Sequence, residues 1–244
     1  MAKLISYPLS VLYYLLFGFT LIFFDGIQRI CYFVIGFKAH RASIIILNLL
    51  LLRCLNILGN RFVFKCPFTL EKNQSYIFVA NHQSTYDIPP LIWYLRKAYP
   101  KFVGKKELGK GIPSISFNLR NGSAVLIDRK NPKQALHDIK AFGEKLAETN
   151  GSIVIFPEGK RSNSAKPRAF RLGGLKQLID AMPEAKLVGI TINNSWKLSR
   201  YGYFPIGAGA KIKLKLHTPV DCPRDNVMET LQQLEKNIIA EIDS

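Results

Sequence analysis

YIFVANHQSTYD, residues 76–87, decides how the chain is to be read. YIFVA is a short, uninterrupted apolar run rich in β-forming residues, the pattern of a strand covered on both faces. The apolar run stops abruptly, and Asn81 and His82 emerge at its end, where ligand sites collect in open α/β sheets. Asp87 then falls near the start of the next helix, just before IPPLIWYL (88–95). On a regular helix, five positions would set the two side chains about 140° apart. A loop of that length folds the carboxylate back onto the imidazole instead. A carboxylate on one ring nitrogen fixes the tautomer and leaves the other nitrogen free to take a proton, which makes a general base. The plainer reading is that His82 merely ends a strand and Asp87 caps a helix, so the rest of the chain has to decide.

Outward from this stretch, β-rich runs recur at FVFKC (62–66), SAVLI (123–127), SIVIF (152–156), KLVGITI (186–192) and KIKLKLH (211–217). Helical patterns cover 87–98, 113–120, 132–148, 172–181 and 225–242, the last opened by an Asp225 cap after Pro223. Alternation of this kind argues for an α/β domain over residues 61–244, with a mostly buried mixed sheet flanked by helices. The strict alternation of KIKLKLH marks a half-exposed or edge strand.

Residues 1–60 differ in character. Residues 4–24, LISYPLSVLYYLLFGFTLIFF, carry no charge and are long enough to enter or span a bilayer. Placed on a helix, Lys38, Arg41, Asn48, Arg53, Asn56 and Asn60 fall within an arc of roughly 140°, with isoleucines and leucines filling the remainder. One apolar helix followed, after residues 25–29, by an amphipathic one suggests a membrane-associating hairpin that dips into one leaflet; two full spans and a buried soluble hairpin are the other arrangements. In either membrane arrangement the basic remainder is expected on the cytoplasmic side of its membrane, the inner (cytoplasmic) membrane if the chain is bacterial.

The chain of 244 residues has 34 Lys and Arg against 17 Asp and Glu, a formal charge of +17. Such a surface seeks anionic partners, but charge alone does not choose among nucleic acid, lipid headgroups and phosphorylated substrates. Many aromatics lie in apolar runs rather than among the basic residues, which argues against nucleic acid. Four cysteines without a C-x-x-C pair and four scattered histidines give no disulfide framework and no metal-ligand spacing.

Three more clusters bear on chemistry. FPEGKRS (156–162) follows a β-rich run and ends in a turn with Gly159, Lys160 and Arg161, where free amides beside a guanidinium suit a phosphate. A buried Glu158 within it could orient Arg161 or receive a hydrogen bond from a substrate hydroxyl. KFVGKKELGKG (101–111) fits the first seven positions of the nucleotide-binding loop G-x-x-x-x-G-K-[ST], but Gly111 stands where the metal-binding hydroxyl belongs, so a nucleotide triphosphatase is set aside. LIDR puts Arg129 just after another strand. No G-x-S-x-G occurs and no cysteine sits in a nucleophile-like setting, so His82 would have to activate a hydroxyl of the substrate.

NHQSTYD, KKEL, LIDR and FPEGKRS, in this order behind an apolar N-terminus, resemble the glycerolipid acyltransferase family, most closely the bacterial 1-acylglycerol-3-phosphate acyltransferases, over roughly residues 60–220. The family's N-H-x-x-x-x-D and F-P-E-G-T-R-S blocks match almost letter for letter. The resemblance implies transfer of a fatty acyl chain from a thioester of acyl carrier protein or coenzyme A to the hydroxyl of lysophosphatidic acid, without cofactor or metal. It makes His82 the base and Asp87 its partner, with Lys105, Arg129 and Arg161 holding phosphate and Glu158 and Gly159 in the acceptor-binding turn. Another lyso-lipid acceptor and a non-catalytic anionic-lipid binder are the competing readings. Three departures stand out: Lys160 replaces the threonine of F-P-E-G-T-R-S; GKG lengthens the KKEL block, with Ser116 in place of a glycine; and Gly189 stands where the fourth block, V-P-V/I, has proline.

Overall fold

The computed structural model describes residues 2–223 and 225–243. Helix α1 (Ala2–Ile30) and helix α2 (Phe37–Ile57) form the N-terminal hairpin. Strands β1 (Arg61–Lys65) and β2 (Tyr76–Ala80) follow, then α3 (Ile88–Tyr94), β3 (Lys101–Lys105), α4 (Ile115–Asn118) and β4 (Ala124–Ile127). The chain continues through α5 (Pro132–Glu148), β5 (Ile153–Ile155), α6 (Leu172–Ala181), β6 (Lys186–Asn193) and a short extended segment, β7 (Arg200–Tyr203). It ends with β8 (Lys211–Leu216), β9 (Val220–Asp221) and α7 (Val227–Ala240).

The sheet runs in the order β1-β8-β6-β2-β5-β3-β4, with β9 beside β6. β2, β3, β4, β5 and β6 are parallel to one another, whereas β8 runs antiparallel to β6, so the sheet is mixed. Strand β2 lies near the middle and is wholly buried, which is why YIFVA has no polar face. Its alternate residues feed two cores. Phe78 and Ala80 pack with Leu55 of α2, Leu91 of α3 and Tyr13 of α1. Ile77 and Val79 pack with Ile139 of α5, Leu178 of α6 and Leu234 of α7. Each large side chain removed from water in this way contributes about 1.5–3 kcal/mol.

Several elements depart from the pattern reading. β3 was hidden in the loop-like KFVGK, whose lysines and glycine mask a strand seated between β4 and β5. β8 alternates exposed and buried as expected but is not at an edge, since β1 covers its far side. Residues 25–29 do not link the N-terminal helices. α1 continues through them, and the reversal is made by the turn Cys31–Ile35 and Gly36, at φ +115°. The polar stripe of α2 turns partly inward: Arg41 donates to the Arg96 carbonyl and Asn48 is buried. α7 is entered through Asn226 in the left-handed region rather than through an Asp225 cap.

α1 lies along the α/β unit for most of its length. Ser6, Ser10, Tyr13, Leu21, Phe24 and Gln28 are buried at helical spacing. Ser10 Oγ accepts from the Ile206 amide at 2.8 Å, Asp25 Oδ1 from the Ser114 amide at 2.7 Å, and Gln28 Oε1 from Asn118 Nδ2 at 3.0 Å. The opposite face leaves Leu4, Leu15, Phe19 and Ile22 exposed, and the turn adds Phe33, Val34 and Ile35.

Candidate active site

The parallel strands deliver their C-terminal ends to one edge of the sheet. In spatial order these carry His82 after β2, the 156–162 turn after β5, Lys105 at the end of β3 and Arg129 after β4. Four of the sequence clusters therefore meet through strand order alone.

Just past β2, Asn81 clamps β2 to β6, its amide accepting from the Ile192 N–H at 2.7 Å and donating to the Ile192 carbonyl at 2.9 Å. The chain then turns under a capping box. Ser84 Oγ accepts from the Tyr86 amide at 3.3 Å, and Asp87 Oδ2 accepts from the amides of Gln83 and Ser84 at 2.9 and 3.0 Å. Pro89 and Pro90 start α3 immediately afterwards, where their missing N–H groups cost nothing. This tight turn brings the carboxylate back to His82, with Nδ1 and Asp87 Oδ2 at 2.8 Å. Ser195 donates its hydroxyl to Asp87 Oδ1, while its amide donates to Gln83 Oε1 at 3.1 Å. Asp87 is fully buried and the amides and hydroxyl around it are donors, so the contact with His82 is satisfied by an Nδ1–H, which leaves Nε2 as the ring nitrogen not taken up by the carboxylate. The imidazole stacks on Phe156, ring centroids 4.1 Å apart, and keeps 16% of its side-chain surface exposed.

The 156–162 turn is fastened to this group. Gly159 sits at φ +69°, a conformation that favours glycine because it has no Cβ. Glu158 is buried and does not reach Arg161, as the sequence had allowed. Its Oε1 accepts from the His82 amide at 2.7 Å and its Oε2 from the Arg168 amide at 2.8 Å, so it ties the two loops together. Burial pushes its pKa up, against the pull of those two amides. The Ser162 amide donates to the His82 carbonyl at 2.8 Å. Arg161 is held by Thr85 Oγ1 and by Tyr203 Oη, the latter at 3.3 Å.

Arg129 reaches the same neighbourhood. Partial burial lowers its pKa, with Glu107 opposing and the charges of Arg161 and Arg171 adding to the fall. An arginine stays charged regardless. Lys105 lies on the same edge, but its ion pair is with Glu107 at 3.9 Å, and among the described residues no bond joins it to the His82 group. Ser195, Gln83, Thr85, Arg171 and Tyr203 were not singled out by the sequence reading. Ser195 and Tyr203 arrive from after β6, and nothing local in their sequence announces them.

The three departures have structural counterparts. Lys160 is exposed at the turn. Ser116 closes the loop lengthened by GKG, accepting from the Ile112 amide at 3.0 Å and donating to the Leu108 carbonyl at 2.9 Å. A Cβ on Gly189 would meet Leu234 at 3.0 Å and Ile238 at 3.2 Å, so α7 packs directly on that backbone.

An open mixed sheet with this group at its C-terminal edge matches a known family: the Acyltransferase profile matches residues 61–193, more than half of the chain, and the chain belongs to that family. A 1-acyl-sn-glycerol-3-phosphate acyltransferase from Helicobacter pylori is 33% identical over 178 residues, covering 66% of this chain and 73% of that protein. One from Haemophilus influenzae is 26% identical over 194 residues, covering 77% and 78%. One from Cocos nucifera is 27% identical over 169 residues, 67% of this chain but only 51% of that protein. The crystal structure of the 1-acyl-sn-glycerophosphate (LPA) acyltransferase PlsC from Thermotoga maritima superposes with a TM-score of 0.81 at 24% identity, covering 99% of this chain and 96% of that one, and shares its fold.

Proposed function

We propose that the protein transfers a fatty acyl chain from a thioester of acyl carrier protein or coenzyme A to the sn-2 hydroxyl of lysophosphatidic acid, giving phosphatidic acid. The observation that carries this reading is an imidazole paired through Nδ1 with a buried carboxylate, on the turn whose Ser84 and Thr85 line an arginine-bearing recess, in a chain whose curated relatives are named for that acceptor. Neutral His82 takes the acceptor's hydroxyl proton at Nε2 as the oxygen bonds to the thioester carbonyl carbon. The tetrahedral adduct collapses with cleavage of the C–S bond, and the departing thiolate takes the proton back from the imidazolium. Asp87 holds the Nδ1–H tautomer and stabilises the transient positive charge. Glu158 and Gly159 shape the acceptor turn. Arg161 and Arg129 grip the phosphate, and Lys105 adds attraction from farther out.

The acceptor is a membrane lipid, and residues 1–60 supply the means of reaching it. α1 is hydrogen-bonded to the α/β unit near both ends, which supports a position along one leaflet over a full span. Its outward apolar face and the Phe33–Ile35 turn suit immersion in one leaflet, with the α/β unit on the cytoplasmic face of the inner membrane.

The test is thiol release and phosphatidic acid formation by the purified full-length protein, with a panel of lyso-lipids crossed with both donors. Lysophosphatidic acid should be the preferred acceptor, and His82→Ala should lose at least about 100-fold in kcat while still binding vesicles. Faster turnover of another lyso-lipid would reassign the acceptor, and binding without turnover would leave only an anionic-lipid binder.

A further inference from the structure

The segment after β6 is not part of the matched family region, yet it forms one wall of a recess whose other side is the Ser84–Tyr86 turn that follows His82. This cavity, about 140 Å³, is lined among others by Thr85, Arg161, Asn163, Ser199 and Tyr203, and none of its lining residues is acidic. Donor groups without a carboxylate suit an anion.

Tyr203 joins two systems. Its hydroxyl accepts from Arg161 Nη1 at 3.3 Å, so the phenolic hydrogen remains free to donate. Arg161 Nη1 also donates to Thr85, and among the described residues Nη2 and Nε carry no protein hydrogen bond, leaving the fork's other donors for a ligand. On its main-chain side, the Tyr203 carbonyl accepts from the hydroxyl of Tyr14 on α1. The attachments of this segment to the first turns of α1 are repeated: Ser10 takes the Ile206 amide, Tyr7 meets the Phe204 ring edge-on with centroids 5.5 Å apart, and Lys3 lies over Tyr201. Tyr203 and Phe204 are nevertheless 65% and 50% exposed, and the apolar residues Leu4 and Val11 of α1 are exposed too. Residues 200–204 thus form an exposed lip fastened to the N-terminal half of α1.

We propose that Tyr203 is a positioning residue for the acceptor's phosphate, holding the Arg161 guanidinium ready from a membrane-facing lip that α1 fixes in place. The inference rests on the acyl-transfer reading and adds to it a route. A lipid anchored in the leaflet by its own chain meets the lip first, passes its phosphate to Arg161, and so brings its hydroxyl towards His82. Long arginine side chains lose rotamer freedom when they bind, and a guanidinium already held at one nitrogen loses less.

The experiment uses full-length enzyme in vesicles and compares wild type with Tyr203→Phe, which keeps the ring and removes only the hydroxyl. The KM for lysophosphatidic acid should rise about threefold to tenfold, the scale of one long, partly exposed hydrogen bond to a charged group, while kcat and the thioester KM stay put. Tyr14→Phe, which removes one of the lip's ties to α1 without entering the recess, should shift the acceptor KM in the same direction, by less. An unchanged acceptor KM in Tyr203→Phe overturns the proposal, and so does a matching fall in kcat and melting temperature, the mark of a merely structural tyrosine. If wild type transfers no acyl group, the acyl-transfer reading fails separately. Equilibrium binding of lysophosphatidic acid, which needs no turnover, then decides: weaker binding by Tyr203→Phe supports the role, and equal binding ends it.

Discussion

Replacing Asp87 by asparagine tests the proposed mechanism where the structure is most specific. Three donors converge on Oδ2, namely His82 Nδ1, the Gln83 amide and the Ser84 amide, and the Ser195 hydroxyl serves Oδ1. An asparagine keeps one acceptor oxygen, and the two main-chain amides hold it on that side. Its new NH₂ then faces Ser195, whose hydroxyl can rotate and accept. The fold should survive at a cost of about 1–3 kcal/mol, the usual range for a compromised buried polar contact. Catalysis should suffer more, because the imidazolium formed in the attack loses the ionised partner 2.8 Å away. The expected fall in kcat is about 10²–10⁴-fold, or roughly 3–5 kcal/mol of barrier. The acceptor KM should hardly move, since Arg161 is anchored elsewhere. Thiol-release kinetics with saturating lysophosphatidic acid, alongside circular dichroism to confirm the fold, provide the measurement. An Asp87→Asn enzyme that is folded and turns over within about threefold of wild type would refute the argument that the charge of this carboxylate supports the base.

Two other expectations concern different parts of the molecule. Phe19→Asp combined with Ile22→Asp places charges on the outward face of α1 and should abolish co-sedimentation with vesicles while leaving the melting temperature nearly unchanged; retained binding would remove α1 from the membrane contact. His217 is held neutral chiefly by burial, with Glu241 opposing and Lys215 reinforcing, so its folded pKa lies below the ordinary 6.5. It donates Nε2–H to Thr191, whose own hydrogen goes to the Ile238 carbonyl. A depressed histidine contributes stability that is complete above the unfolded pKa and is lost as pH falls through the folded one. Thermal melts should therefore decline below about pH 6.5 more steeply for wild type than for His217→Gln, and parallel curves would contradict the assignment.

The centre of the fold was legible because burial on both faces leaves YIFVA no alternative, and the Asn-His start with Pro-Pro at the far end confines the turn between them. β3 was not, since a strand flanked by lysines and interrupted by Gly104 has the composition of a loop until β4 and β5 close on it. His82 and Asp87 could be paired because only five positions separate them. Ser195 lies 108 positions from the carboxylate it binds, and Glu158 turned from a partner for Arg161 into a tie between two main-chain amides. Contacts of that range are set by strand order, which periodicity does not encode.

The distance between Asp87 and Ser195 along the chain also has a bearing on biosynthesis. A ribosome releases the apolar hairpin and His82 well before the turn after β6 that carries Ser195, and β2 lacks its second sheet neighbour until β6 has emerged. An incomplete chain therefore carries its apolar hairpin before the His82–Asp87 pair has gained the Ser195 hydroxyl that completes the carboxylate's hydrogen bonds.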